Sequence, residues 1–125
     1  MKIEHAALFT ENLEKMRNFY VKYFNAQSNG GYHNPKTGLR TYFLSFEEGS
    51  RLEIMSRPDV RDRPRQGLGY VHLAFSAGSR DAVDNLAGRL QKDGCRVLSG
   101  PRVTGDGYYE CLVLDPDGNE VEITE

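Results

Sequence analysis

The 125-residue sequence contains no tryptophan, only two cysteines, and no apolar run near the length a membrane-spanning helix needs, about 20 residues. Membrane insertion is therefore not expected. Nor is there an excess of charge of one sign: 16 Lys and Arg stand against 18 Asp and Glu, for a net charge of -2. That balance provides no basic surface for nucleic acid. Cys95 and Cys111 lack metal-ligand spacing and sit in apolar stretches, so free, buried thiols are expected rather than a disulfide. Near the start, Glu4 and His5 interrupt the only stretch with a signal-like apolar character, MKIEHAALF. The expectation is a soluble, cytoplasmic protein. What is present, 38% apolar and 27% charged residues, suits a packed domain and not a disordered chain.

Along the chain, residues 2–9 (KIEHAALF) read as a strand. A cap within 10–12 precedes Leu13, Met16, Phe19, Tyr20 and Phe24 at helical spacing. Asn29-Gly30-Gly31 breaks the chain, a weaker strand falls between 26 and 32, and strands are expected at 40–47 and 51–55. The order then begins again. Residues 70–76 read as a strand, and Ser79 or Asp81 caps a helix carrying Val83, Leu86, Ala87 and Leu90 that Gly94 closes. A short strand at 96–98, strands at 107–114 and 119–124, and a turn at Asp115-Pro116-Asp117-Gly118 complete the second half. The expected fold is α+β: two βαβββ modules, about 1–57 and 68–125, pairing into a curved, barrel-like mixed sheet with helices outside. The 58–67 connection holds Arg61, Arg63 and Arg65, with Arg57 just before it. These arginines read either as a solvated linker or as a grip for an anionic substrate group.

Each module places a histidine on its first strand and a glutamate on its last. His5 and Glu53 are 48 positions apart, and His72 and Glu122 are 50 apart. Leu52-Glu53-Ile54 and Val121-Glu122-Ile123 both set the carboxylate against flanking aliphatics, and Val71-His72-Leu73 does the same for an imidazole. With a side-chain period of two, all four residues project from the face opposite the apolar one. On that face Tyr42, Met55 or Ala74 is expected to line a cavity. A single strand histidine or glutamate is ordinarily a solvent-facing residue, but that reading does not account for the same pair occurring twice. Two imidazoles and two carboxylates suit zinc, nickel, cobalt, manganese or Fe(II), and the two carboxylates offset the ion's charge. His33, in the loop at 31–35, reads as a surface or rim residue.

The segments IEHAALF, MRNFYVKYF, RLEIM, YVHLAF and LDPDGNEVEIT resemble those of the vicinal oxygen chelate superfamily, the glyoxalase / bleomycin resistance / dioxygenase group. The complete His, Glu, His, Glu set is most similar to that of glyoxalase I, the lactoylglutathione lyase. The resemblance implies a divalent metal, zinc or nickel first, on His5, Glu53, His72 and Glu122, and a small oxygenated substrate turned over through a metal-stabilised enediolate. It also implies a homodimer and a ligand glutamate as proton-transfer base, with Glu122 ahead of Glu53. Glutathione-type enzymes commonly carry Arg four residues past the first histidine and Asn four past the first glutamate. Here those positions are Phe9 and Arg57, so the metal set is kept and part of the thiol-recognition set is not. Other members of the group imply alternatives: a metal-independent drug or metabolite binding protein using Phe9, Tyr42, Tyr108 and Tyr109, an Fe(II) dioxygenase, or an antibiotic thiol transferase.

Overall fold

A computed structural model describes residues 1–62 and 68–125. The chain divides into two units, Met1–Gln66 and Gly67–Glu125. Arg63 and Arg65, with the rest of the linker's second half, lie outside the described residues.

In the first unit β1 (His5–Phe9) leads to α1 (Leu13–Phe24), two short strands β2 (Gln27–Ser28) and β3 (Tyr32–His33), then β4 (Arg40–Ser45) and β5 (Arg51–Ser56). The sheet order is β1-β5-β4-β2, with β3 also on β4. In the second unit β6 (His72–Ser76), α2 (Arg80–Lys92), β7 (Val97–Val103), β8 (Tyr109–Leu114) and β9 (Glu120–Thr124) follow, in the order β6-β9-β8-β7. The class is α+β, as the repeated pattern predicts. In both units the first and last strands are parallel and the other pairings antiparallel. First and last residues of a repeat are thereby brought side by side from about 50 positions apart in sequence.

The helices form where the apolar spacing places them. Leu13, Met16, Phe19, Tyr20 and Tyr23 form the buried stripe of α1, and Leu44, Leu52 and Ile54 are buried on the strands that α1 covers. Val83, Ala87 and Leu90 of α2 pack on the side of the second sheet where Cys111, Val113, Val121 and Ile123 are buried. Asn12 caps α1 by accepting the Lys15 N–H at 3.0 Å, and Ser79 caps α2 by accepting that of Ala82 at 3.2 Å. Gly94, at φ +81°, closes α2 while the Cys95 N–H returns to the Leu90 carbonyl at 2.9 Å.

A second repeat is visible between helix and sheet. Tyr42 donates its hydroxyl to Glu14 at 2.7 Å, with the Arg17 guanidinium 4.5 Å from its ring. Tyr109 donates to Asp84 at 2.6 Å, with Arg80 5.0 Å from its ring. The neighbouring carboxylate pushes each phenol above its ordinary pKa. These contacts correct the expectation that Tyr42 lines a cavity with Met55. Tyr42 pairs with Ile54, so it shares the helix-covered face, and Phe43 takes the position opposite Glu53. Tyr109 likewise ties the sheet to α2.

Several strand boundaries differ from the sequence expectation: β4 ends at Ser45 rather than 47, β8 begins at Tyr109 rather than 107, and β3 is additional. β1 and β6 begin at His5 and His72, later than residues 2 and 70, and β7 runs to Val103 instead of ending at 98. Gly100 and Pro101 look like a stop in the sequence, yet register shifts on either side of Ser99 let the pairing with β8 continue.

Both cysteines are free; Cys95 is half-buried and Cys111 buried. Burial pushes the Cys111 thiol up to about 11. At pH 8 it holds only about one part in a thousand thiolate. An aromatic disulfide reagent is therefore expected to modify Cys95 in the native protein and to reach Cys111 only on unfolding; equal rates would contradict this burial.

Candidate metal centre

Strand alternation puts His5, Ala7 and Phe9 on one face of the first sheet. Parallel pairing sets Ala7 opposite Glu53 and Phe9 opposite Met55. The antiparallel neighbour adds Phe43 opposite Glu53 and Thr41 opposite Met55. Leu52 and Ile54 point the other way, under α1. The second sheet repeats the register: Ala74 and Leu112 lie opposite Glu122, and Val121 and Ile123 are buried on the reverse face.

Each histidine consequently meets the glutamate of its own unit. His5 Nε2 is 3.8 Å from Glu53 Oε2, and His72 Nε2 is 3.4 Å from Glu122 Oε2. The two pairs have matching exposure, with imidazoles near two-fifths and carboxylates near one-fifth accessible. Donors bound to one ion at about 2.0–2.2 Å stand roughly 3–3.5 Å apart. The second pair meets that spacing and the first is slightly wider. Imidazole nitrogen and carboxylate oxygen are suitable donors for a divalent first-row ion, and the residues fit such a group. Among the described residues no set of three or more His, Cys, Asp or Glu side chains stands ready to hold an ion; each unit offers a pair. His33 is exposed, pairs with Arg40 on the edge of the first sheet, and joins neither pair.

Two neighbours of these pairs were not singled out by sequence pattern. Glu4 contacts His5 Nδ1 through Oε2 at 2.5 Å and Arg51 through Oε1 at 2.5 Å. The hydrogen bonds from His5 and Arg51 hold its carboxyl below the usual range. Glu110 lies on the Glu122 face, two residue pairs further along β8 and β9. Desolvation and the Glu122 charge raise its pKa, so two carboxylates crowd this end of the second pair. In both cases the residue looks like an ordinary polar strand position until the register is known.

Where β1 and β5 end, a cleft of about 450 Å³ is lined by Thr10, Arg40, Ser56, Arg57, Pro58 and Arg61. Arg57 follows β5 and lies 5.6 Å from the Phe9 ring, while its Nε donates to Asp59 at 2.6 Å. The sequence flagged Arg57 and Arg61; Arg40 joins them because β4 runs antiparallel to β5 and sets Arg40 opposite Ser56.

No helix among the described residues is long and apolar enough to cross a membrane.

Residues 2–123 match the model of the Glyoxalase/Bleomycin resistance protein/Dioxygenase superfamily. The chain is 30% identical to the uncharacterized protein YqjT of Bacillus subtilis, over 97% of this chain and 96% of the relative. Among solved structures, a glyoxalase family protein from Enterococcus faecalis is similar at a TM-score of 0.81 and 27% identity, covering 99% of this chain and 97% of that one. A lactoylglutathione lyase from Agrobacterium tumefaciens is similar at a TM-score of 0.71 and 25% identity, covering 98% and 92%.

Proposed function

The chain belongs to the glyoxalase/bleomycin resistance protein/dioxygenase superfamily, and from that premise we propose that it is a metal-dependent isomerase or lyase of glyoxalase type. The observation that carries the reading is the duplicated pair: His and Glu occupy equivalent register positions in both units, with Nε2 facing Oε2 each time. His5, Glu53, His72 and Glu122 together supply four donors for one divalent ion, zinc or nickel first, then cobalt, manganese or iron. When bound, that ion supplies Lewis-acid polarisation of two neighbouring substrate oxygens.

The chain's own residues supply the rest. Glu122 takes a proton from one substrate carbon and returns it to the next, with Glu53 as the second choice for that base. Glu110 lies on the same face as Glu122, so negative charge arriving at that end meets two carboxylates. Phe43 and Met55 provide apolar walls that restrict water at the reacting carbons. The assembly proposed is a homodimer, and one metal per chain follows whether a chain's two pairs serve one ion or each joins a pair of the second copy.

Arg57 is the residue proposed to select the substrate. Its guanidinium, propped on Phe9, suits a carboxylate or other anionic tail lying along the His5 face. Arg57→Ala is expected to raise KM roughly tenfold with kcat nearly unchanged, the pattern for loss of one partly exposed charged contact. Steady-state kinetics check this; an unchanged KM would remove Arg57 from the substrate contact. The function itself is tested by restoring zinc, nickel or cobalt to metal-free protein and assaying methylglyoxal with glutathione and with other thiols. Metal-dependent conversion to the thioester supports the reading. No conversion with any metal and thiol would overturn the glyoxalase assignment.

A further inference from the structure

We propose that Glu4, held in place by Arg51, is a positioning residue for His5: it accepts the Nδ1–H and leaves Nε2, the nitrogen facing Glu53, as the free donor. The inference rests on the reading of His5 as a metal donor.

The geometry around Glu4 divides its carboxylate between two partners. Oε1 accepts from Arg51, at 2.8 Å from Nε and 2.5 Å from Nη2. Oε2 faces His5 Nδ1 at 2.5 Å. An ionised carboxylate only accepts, so the proton in that contact belongs to the imidazole. A neutral imidazole protonated at Nδ1 has its lone pair on Nε2, and that nitrogen lies 3.8 Å from Glu53 Oε2. Without an acceptor at Nδ1, the proton is free to sit on Nε2, the form that blocks donation to a metal.

The clamp is held from several sides. The Arg51 N–H donates to the Glu4 carbonyl at 2.9 Å, and Ser50 Oγ donates to the Ile3 carbonyl at 2.5 Å. The segment before β1 is thus tied to the start of β5. The Arg51 guanidinium lies 4.3 Å from the Phe43 ring, and Phe43 meets His5 edge-on with centroids 5.4 Å apart. Glu4, Arg51, Phe43 and His5 close a ring of contacts about the imidazole. Two of its members restrict ring rotation and one fixes the proton.

Among the described residues the second unit does not repeat this device, which provides an internal comparison. His72 is preceded by Val71, and its partner on the parallel strand is Glu120, where His5 has Arg51. Leu112 stands opposite Glu122 where Phe43 stands opposite Glu53. The two histidines are therefore equivalent in backbone position and different in what orients them.

Nitrogen NMR of the imidazoles in the metal-free full chain, above the pH at which they are protonated, tests the proposal. Wild-type His5 is expected mainly as the Nδ1–H tautomer. Glu4→Ala is expected to move it toward Nε2–H and leave His72 unchanged. Glu4→Gln, which keeps an acceptor but loses the charge, should fall between them, and Arg51→Met should shift His5 in the same direction by less. Cobalt titration read by absorbance should then show affinity in Glu4→Ala reduced about tenfold, the lower end of what losing such a supporting contact costs. An unchanged His5 tautomer in Glu4→Ala, or an equal shift at His72, would overturn the proposal. A His5 shift in a protein that takes up no metal would leave Glu4's positioning intact and remove the metal reading instead.

Discussion

His5→Ala and His72→Ala are each expected to weaken binding of a divalent metal at least about a thousandfold, and to abolish metal-dependent turnover with it. Losing a residue that merely supports a ligand costs about ten- to hundredfold, and removing one of four donors exceeds that. Several kcal/mol of transition-state stabilisation go with the ion, and each 1.36 kcal/mol is about tenfold in rate. The force of the prediction lies in its symmetry. The two histidines belong to different units, Met1–Gln66 and Gly67–Glu125, and each sits beside its own glutamate. If a single pair carried the metal, one substitution would be severe and the other nearly silent. If all four donors share one ion, both are severe. Both imidazoles are about two-fifths accessible and neither is in the buried core. The substitutions should therefore leave thermal unfolding of the metal-free protein within a few degrees of wild type, and metal titration by calorimetry separates loss of binding from loss of fold.

Gly100→Ala is expected to destabilise the protein by about 3 kcal/mol or more and to lower its melting temperature by roughly 10 °C. Gly100 has φ +78°, a conformation that costs an L side chain about 1–2 kcal/mol. A Cβ there would also stand 2.5 Å from the Glu110 carbonyl oxygen and 3.1 Å from Cys111 Cα. Those atoms belong to the backbone of β8, the strand beside the one that carries Glu122, so relief by rotating a side chain is not open. Differential scanning calorimetry checks this, with Gly88→Ala as the comparison: nothing lies within 4 Å of a Cβ at that helical position, and Ala there should be neutral to stabilising by about 1 kcal/mol. Equal melting temperatures for the two variants would show that β7 passes β8 differently.

Gly100 also illustrates where sequence reading stops. Helix limits were legible because cap and apolar stripe lie within one local stretch: residues 10–12 and Leu13–Phe24 for α1, Ser79 or Asp81 through Gly94 for α2, although Tyr23 and not Phe24 completes the buried stripe of α1. The duplicated module was legible because the same order of patterns recurs. The end of β7 was not, because a Gly-Pro step reads as a terminator unless the register shift beside it is known. The face that Tyr42 occupies is hidden in the sequence for a related reason. Adjacent aromatics Tyr42 and Phe43 must face opposite ways, and only the pairing of Tyr42 with Ile54 decides which meets the helix. In the proposed site, the nearness of His and Glu within each unit was legible from their type and repeated spacing. Glu4, Arg51 and Glu110 were not, since each acts through a partner on another strand or beyond a strand end.

His5, Glu53, His72 and Glu122 are proposed to hold one divalent metal together. Titrating metal-free wild-type protein with zinc, nickel or cobalt and counting bound metal per chain tests it most directly. One ion per chain, lost in both His5→Ala and His72→Ala, is the result predicted. No uptake at all, or two ions per chain with each substitution removing one, would contradict it.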